Sequence, residues 1–158
     1  MGVDLKYSLL PNLFIIFLKR RIQIMYTKKI TYTDYNGNEK TETAYFNLTK
    51  RELIQLQNSV EGGLDKAINK INESGDQLKI FALFDKLVLA AYGKKSDDGS
   101  KFIKNAEVTE DFVSSAAYDA LFDEMTSNPN LIKDFFIGVV PADMKDNLAS
   151  ELNKEENK

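Results

Sequence analysis

Any chemistry in this chain falls to carboxylates, lysines, hydroxyls and tyrosines, because its 158 residues include no histidine and no cysteine. A zinc finger, an iron-sulfur site, a Cys-His or Ser-His-Asp triad and a disulfide framework are therefore excluded. A carboxylate pair acting as acid and base needs one member in an apolar setting that raises its pKa. Asp85, inside "QLKIFALFDKLVLAAY", is the one candidate, and its neighbour Lys86 makes an exposed stripe or a lysine pairing the simpler account.

Calcium is tested by register. An EF-hand loop with Gly99 at position six would place Lys94 at position one and Asn105 at position twelve. With Gly37 there, those positions fall to Tyr32 and Thr43, where an acid and a bidentate glutamate are needed. Both placements fail, and Asp97-Asp98-Gly99 is expected as a turn tip held by local hydrogen bonds. Gly62-Gly63 lacks the spacing and the lysine of a phosphate loop. Asn47-Leu48-Thr49 and Asn72-Glu73-Ser74 match the glycosylation pattern but have no secretion signal to make it relevant. Lys94, Lys95, Lys101 and Lys104 form a candidate anion patch, diluted by Asp97 and Asp98 into an ordinary solvated loop. No catalytic, cofactor or metal site is expected, and the chain is read as a non-enzyme.

The elements that would carry such groups follow from periodicity. From Lys28 to Phe46, "KKITYTDYNGNEKTETAYF" alternates Ile30 and Tyr32 with Thr31 and Thr33, a strand signal. Asn36-Gly37 at its centre predicts a hairpin with a type I′ turn. Two strands alone are marginal, so the hairpin is expected to lie on helices or to be extended by strands of another chain. Thr49-Lys50-Arg51-Glu52 is a capping box, and Leu53, Leu56 and Val60 recur at helical spacing behind it until Glu61-Gly62-Gly63. A second helix is expected from Leu64 to Ser74. A third, capped by Asp76 and ending at Gly93, is apolar around nearly its whole circumference, as a helix surrounded by others would be. Lys94 to Asn105 is expected as a polar loop. A fourth helix, capped by Thr109, carries Phe112 to Met125, and a fifth opens at Asn128-Pro129 and carries Leu131 to Val140. A weak last helix runs from Ala142 through Leu148.

The fold class is thus α+β: a mainly α-helical single domain, five to six helices around a central apolar helix, with an N-terminal β-hairpin. The globular domain is expected over residues 25–149, with the hairpin at 28–46, the helical core at 49–149 and a charged flexible tail at 150–158. The apolar faces of the fourth and fifth helices are assigned mainly to the core. Tyr118 and Phe122, off the alanine-rich face at i, i+4 spacing, are candidates for a partner or oligomer contact, together with Phe135 and Phe136.

The first twenty-four residues differ from the rest. Their apolar run from Leu13 to Leu18 is far short of the roughly 20 residues a membrane span needs. Lys19, Arg20 and Arg21 follow that run, where a secretory signal would place its charge ahead. Arg20-Arg21 encoded AGG-AGG would be a ribosome-binding sequence about nine nucleotides before the Met25 codon. Translation is therefore expected to begin at Met25, with an amphipathic anchor as the alternative. The whole chain carries −3; without Lys6, Lys19, Arg20, Arg21 and Asp4 the remaining 134 residues hold 17 basic and 23 acidic groups, net −6. That balance argues against non-specific nucleic-acid binding.

From Thr27 to about Leu148 the sequence resembles tail assembly chaperones of phages and prophages of Gram-positive bacteria, encoded between the major tail protein and the tape measure protein. The matching text is "ITYTDYNGNEKTETAYFNLTKREL", "EGGL", "AYGKKSDDGSKFIKN" and "FFIGVVPADM". The resemblance implies a non-catalytic protein in the cytoplasm of the infected or lysogenic host. It would bind the tape measure protein, assist tail-tube subunits in polymerising around it, and be absent from the finished virion. Self-association is a further option, and neither nucleic acid nor membrane is an expected partner. A phage-encoded regulator or inhibitor of host defence would share the size, acidity and lack of catalytic residues, and a small carboxylate enzyme would need Asp85 to titrate high.

Overall fold

The computed structural model describes residues 25–155. The expected extension over 1–24 and the last three residues of the expected tail lie outside the described residues. The chain forms four strands and, among the described residues, seven helices in the order β1 (Tyr26–Thr33), β2 (Glu39–Phe46), α1 (Lys50–Ser59), α2 (Leu64–Ser74), α3 (Gln77–Ala91), β3 (Tyr92–Lys95), β4 (Phe102–Ile103), α4 (Ala106–Val113), α5 (Ala116–Ser127), α6 (Pro129–Val139) and α7 (Ala142–Glu155). It is a mixed α+β, mainly helical domain with an N-terminal antiparallel hairpin.

The hairpin pairs Tyr26 with Phe46 through to Thr33 with Glu39. Its turn is not type I′. Gly37 N–H donates to Asp34 O at 2.9 Å, Asp34 N–H donates to Asn38 O at 2.9 Å, and Gly37 alone has positive φ, at 83°. This is a three-residue loop in which a type I turn is closed by a left-handed glycine. Asp34 selects it: its Oδ1 accepts from the Asn36 and Asn38 backbone N–H groups, both at 2.9 Å, which keeps Asn36 out of the left-handed region. Along the strands, Thr31 and Thr41 share a hydroxyl bond of 2.9 Å and Tyr32 donates to Glu42 at 3.0 Å.

The hairpin is extended by its own chain. The third helix stops at Ala91, earlier than Gly93, and Tyr92–Lys95 adds antiparallel to β2 through Phe46↔Tyr92 and Tyr45↔Gly93. The segment after it, expected as a loop, turns back as β4, giving a four-stranded sheet of order β1-β2-β3-β4. Gly93 permits this: a Cβ there would sit 2.8 Å from the Ile103 carbonyl oxygen and from the Phe102 ring. The expected fourth helix is two helices. Asn105, not Thr109, caps α4 by accepting from Val108 N–H at 2.8 Å. Ser115 caps α5 from Tyr118 N–H while donating to Phe112 O at 2.6 Å. The Ser115 hydroxyl thus bonds the backbone on both sides of the break, closing α4 and opening α5.

The core lies between the sheet and α3, α5 and α6. Phe46, wholly buried, meets the rings of Tyr26, Tyr92, Phe112 and Phe135 edge-on at centroid distances of 6.2, 5.8, 6.3 and 5.1 Å. Each such pair contributes about 0.5–1.5 kcal/mol beyond area burial, so one side chain ties β1, β3, α4 and α6 together. The stretch after β2 supplies partners for helix ends that lack their own: Asn47 N–H donates to Ala91 O and Leu48 N–H to Val139 O, both at 2.9 Å. The capping box at Thr49 and Glu52 and the Asn128-Pro129 start form as expected. The last helix continues to Glu155, past Leu148 and into the stretch expected as a tail.

Candidate functional site

The four aromatic residues expected to meet a partner are mostly inside. Phe135 and Phe136 are each 1% exposed, Tyr118 is 8% exposed, and Phe122 is half-buried with its ring 4.9 Å from Phe81 and 5.2 Å from Phe84. The i, i+4 pair of Tyr118 and Phe122 is covered by α3, whose Phe84 lies 5.8 Å from the Tyr118 ring. Tyr118 donates its hydroxyl to Asp85, the carboxylate in the apolar helix. Burial, then this bond, pushes the Tyr118 hydroxyl well above the usual tyrosine range, so it stays a donor.

The lysine run likewise serves the fold. Lys104 Nζ donates to Asn47 O at 2.6 Å, to Glu52 Oε2 at 2.9 Å and to Ala90 O at 3.0 Å, joining β4 to the start of α1 and the end of α3. A cation at the carboxyl end of α3 also answers its dipole. Burial pushes the Glu52 carboxyl up, but the bonds from Lys104 and Thr49 outweigh it and hold that group below the ordinary carboxylate range. Lys94 lies 3.7 Å from Asp111, and Lys95 stands 4.0 Å over the Tyr45 ring. Asp98 is a turn residue, accepting from Ser96 and Ser100, and these bonds lower its carboxyl to about 2. Among the described residues, no three carboxylates gather in a way that could hold a metal ion, and no helix is long and apolar enough to cross a membrane.

A groove of about 360 Å³ lies open between α1 and α7. Leu53, Ile54 and Gln57 form one wall, Met144, Asn147 and Leu148 the other, and Phe136 its floor. Ile54 is 62% exposed and Met144 36%, so apolar surface at its rim faces solvent. Geometry explains the exposure. Leu53 and Leu56 point inward on α1, and Ile54 follows Leu53 by about 100° around the helix, onto the shoulder of the buried stripe. The helix α7 approaches that shoulder without covering it; it is held by Lys145 Nζ donating to Gly138 O at 2.8 Å and by an exposed Lys50–Asp143 pair at 2.5 Å. Such an exposed pair contributes little. Of the expected interface residues, Phe136 alone reaches this groove, from beneath. Ile54 and Met144 were missed by the sequence reasoning; the available signal was an isoleucine outside the Leu53, Leu56, Val60 stripe.

The groove has Phe136 as an apolar floor, a rim that mixes Ile54 and Met144 with amide side chains, and no acid-base pair converging on it among the described residues. The model of a family described as phage tail assembly chaperone matches residues 25–158. No curated protein and no solved structure matches the chain.

Proposed function

The chain belongs to the phage tail assembly chaperone family, and from that premise we propose that it binds the tape measure protein in the host cytoplasm and assists tail-tube assembly without catalysis. The observation that carries this reading is the open groove between α1 and α7, where Ile54 and Met144 stay exposed beside the buried Leu53 and Phe136. A tape measure chain presents long apolar helical stripes before the tube encloses it. A groove of this kind accepts residues of such a stripe at i, i+3, i+4 and i+7 spacing. The acidic balance of residues 25–158 keeps the complex soluble while the groove is filled. Transient cover of that sort needs modest affinity, which fits a small groove better than a large flat interface.

Co-expression with the tape measure protein of the same phage tests the proposal. The expected result is co-purification and a larger soluble fraction of the tape measure protein, both lost when Ile54→Asp and Met144→Asp are introduced together. Circular dichroism of the double variant should match the parent. If the parent neither co-purifies with the tape measure protein nor raises its solubility, the proposal is overturned.

A further inference from the structure

A second trough, of about 750 Å³, lies on another face of the molecule, between α2 and α3, with the end of α1 closing one side. Its floor is apolar, formed by Val60, Ala67 and Leu83, and its rim is cationic, with Lys66, Lys70 and Lys86. Lys79 adds a fourth cation but is paired with Asp76 at 3.3 Å, and Lys86 donates to Ser59 O at 2.8 Å. Glu61 and Glu73 are the two acids in the lining. Four lysines against two glutamates reverse the sign of a body that is net −6 over residues 25–158.

Lys66 and Lys70 are four apart on α2 and so share one face, where like charges repel. Among the described residues neither is within ion-pair distance of a carboxylate. An i, i+4 pair of lysines flanking an apolar floor gains from a partner that brings the missing carboxylates. We infer that this trough docks an amphipathic helix of a client protein whose apolar stripe is flanked by acidic residues, the stripe resting on Val60, Ala67 and Leu83 and the carboxylates meeting Lys66 and Lys70. A helix fits because the trough runs between two helices, whose ridges and grooves accept a third. A nucleic acid fits less well, since the floor is apolar and two glutamates stand in the lining. Complementary charge here would steer encounter and set partner choice. The inference rests on the assembly-chaperone reading for the existence of a helical client, while the trough is separate from the groove between α1 and α7.

The test uses the full chain and two labelled peptides of about 18 residues with the same leucine stripe, one flanked by glutamates and the other by lysines, followed by fluorescence anisotropy. The acidic peptide should bind at least about tenfold more tightly than the basic one, and its affinity should fall as sodium chloride is raised. In the double variant Lys66→Glu, Lys70→Glu the preference should reverse. Equal binding of both peptides, binding of neither, a preference unchanged in the double variant, or retention of a single-stranded RNA oligonucleotide in place of the acidic peptide would each overturn the inference. The tape measure co-expression separates the two proposals. Co-purification with no acidic-peptide preference removes this inference alone, and acidic-peptide binding without co-purification removes the assembly reading alone.

Discussion

Around Phe46, β1, β3, α4 and α6 each bring a ring to one buried point, and each of those rings is held by others. Beside Ile54, two helices approach and leave apolar side chains in water. Both regions hold large hydrophobic residues, yet one is closed and the other open. The difference lies in what covers each. The ring cluster sits where two strands and two helices from separate stretches of chain converge, whereas the groove lies between α1 and α7, the latter tied down by Lys145 donating to Gly138 O and by a surface ion pair. Aromatic side chains are enriched at the energetic centres of protein interfaces, yet here Phe46, Phe112, Tyr118, Phe135 and Phe136 are all buried in the fold, and the groove rim is left to Ile54 and Met144.

Truncation at the closed region should give the largest effect. Phe46→Ala removes a wholly buried ring with four ring partners and should cost about 3–5 kcal/mol of stability in urea unfolding. A loss below about 1 kcal/mol would mean that the cluster is not what ties the sheet to the helices. Lys104→Met should cost less, about 1–3 kcal/mol, by leaving Asn47 O and Ala90 O without their donor.

The pH dependence of that same junction follows from its sign. Glu52 has a folded-state pKa below its ordinary 4.5, so its contribution is present above that value and is lost as pH falls through the lower folded value. Thermal unfolding between about pH 5 and 3 should therefore lose part of its acid sensitivity in Glu52→Gln, while the Asp34 carboxyl, held to about 2 by Lys40 and by the Asn38 and Asn36 amides, should still be ionised there when followed by NMR. The open region should respond least. Ile54→Asp changes a side chain already in solvent and should shift stability by no more than about 0.5 kcal/mol, while retention of the tape measure protein falls. A large destabilisation there would erase the distinction between the two regions.

Much of the fold was legible because the signals were local. The capping box at Thr49 and Glu52, the Asp76 cap and the Asn128-Pro129 start each depend on residues within one turn, and each forms where it was expected. The errors have two causes, long-range strand pairing and competition between local side-chain bonds. Tyr92 to Lys95 follows a helix without a break in polarity, and only the free edge of β2 at Tyr45 and Phe46 draws it into a strand. The Asn36-Gly37 dipeptide suited a two-residue turn until Asp34 captured both neighbouring amides. The candidate interface was less legible than the fold. Tyr118 and Phe122 lie off the alanine face of α5 in sequence, yet that side is where Phe81 and Phe84 of α3 pack.

By itself, the sequence determined the absence of histidine and cysteine chemistry, the helix starts at Thr49, Asp76 and Asn128, the hairpin and the acid excess, because these are properties of composition or of hydrogen bonds within a few residues. Tertiary structure alone decided which apolar side chains stay in water and where Lys104 finds its three acceptors. Burial depends on which distant segment arrives to cover a face, and hydrophobic attraction carries no direction with which a sequence could announce it.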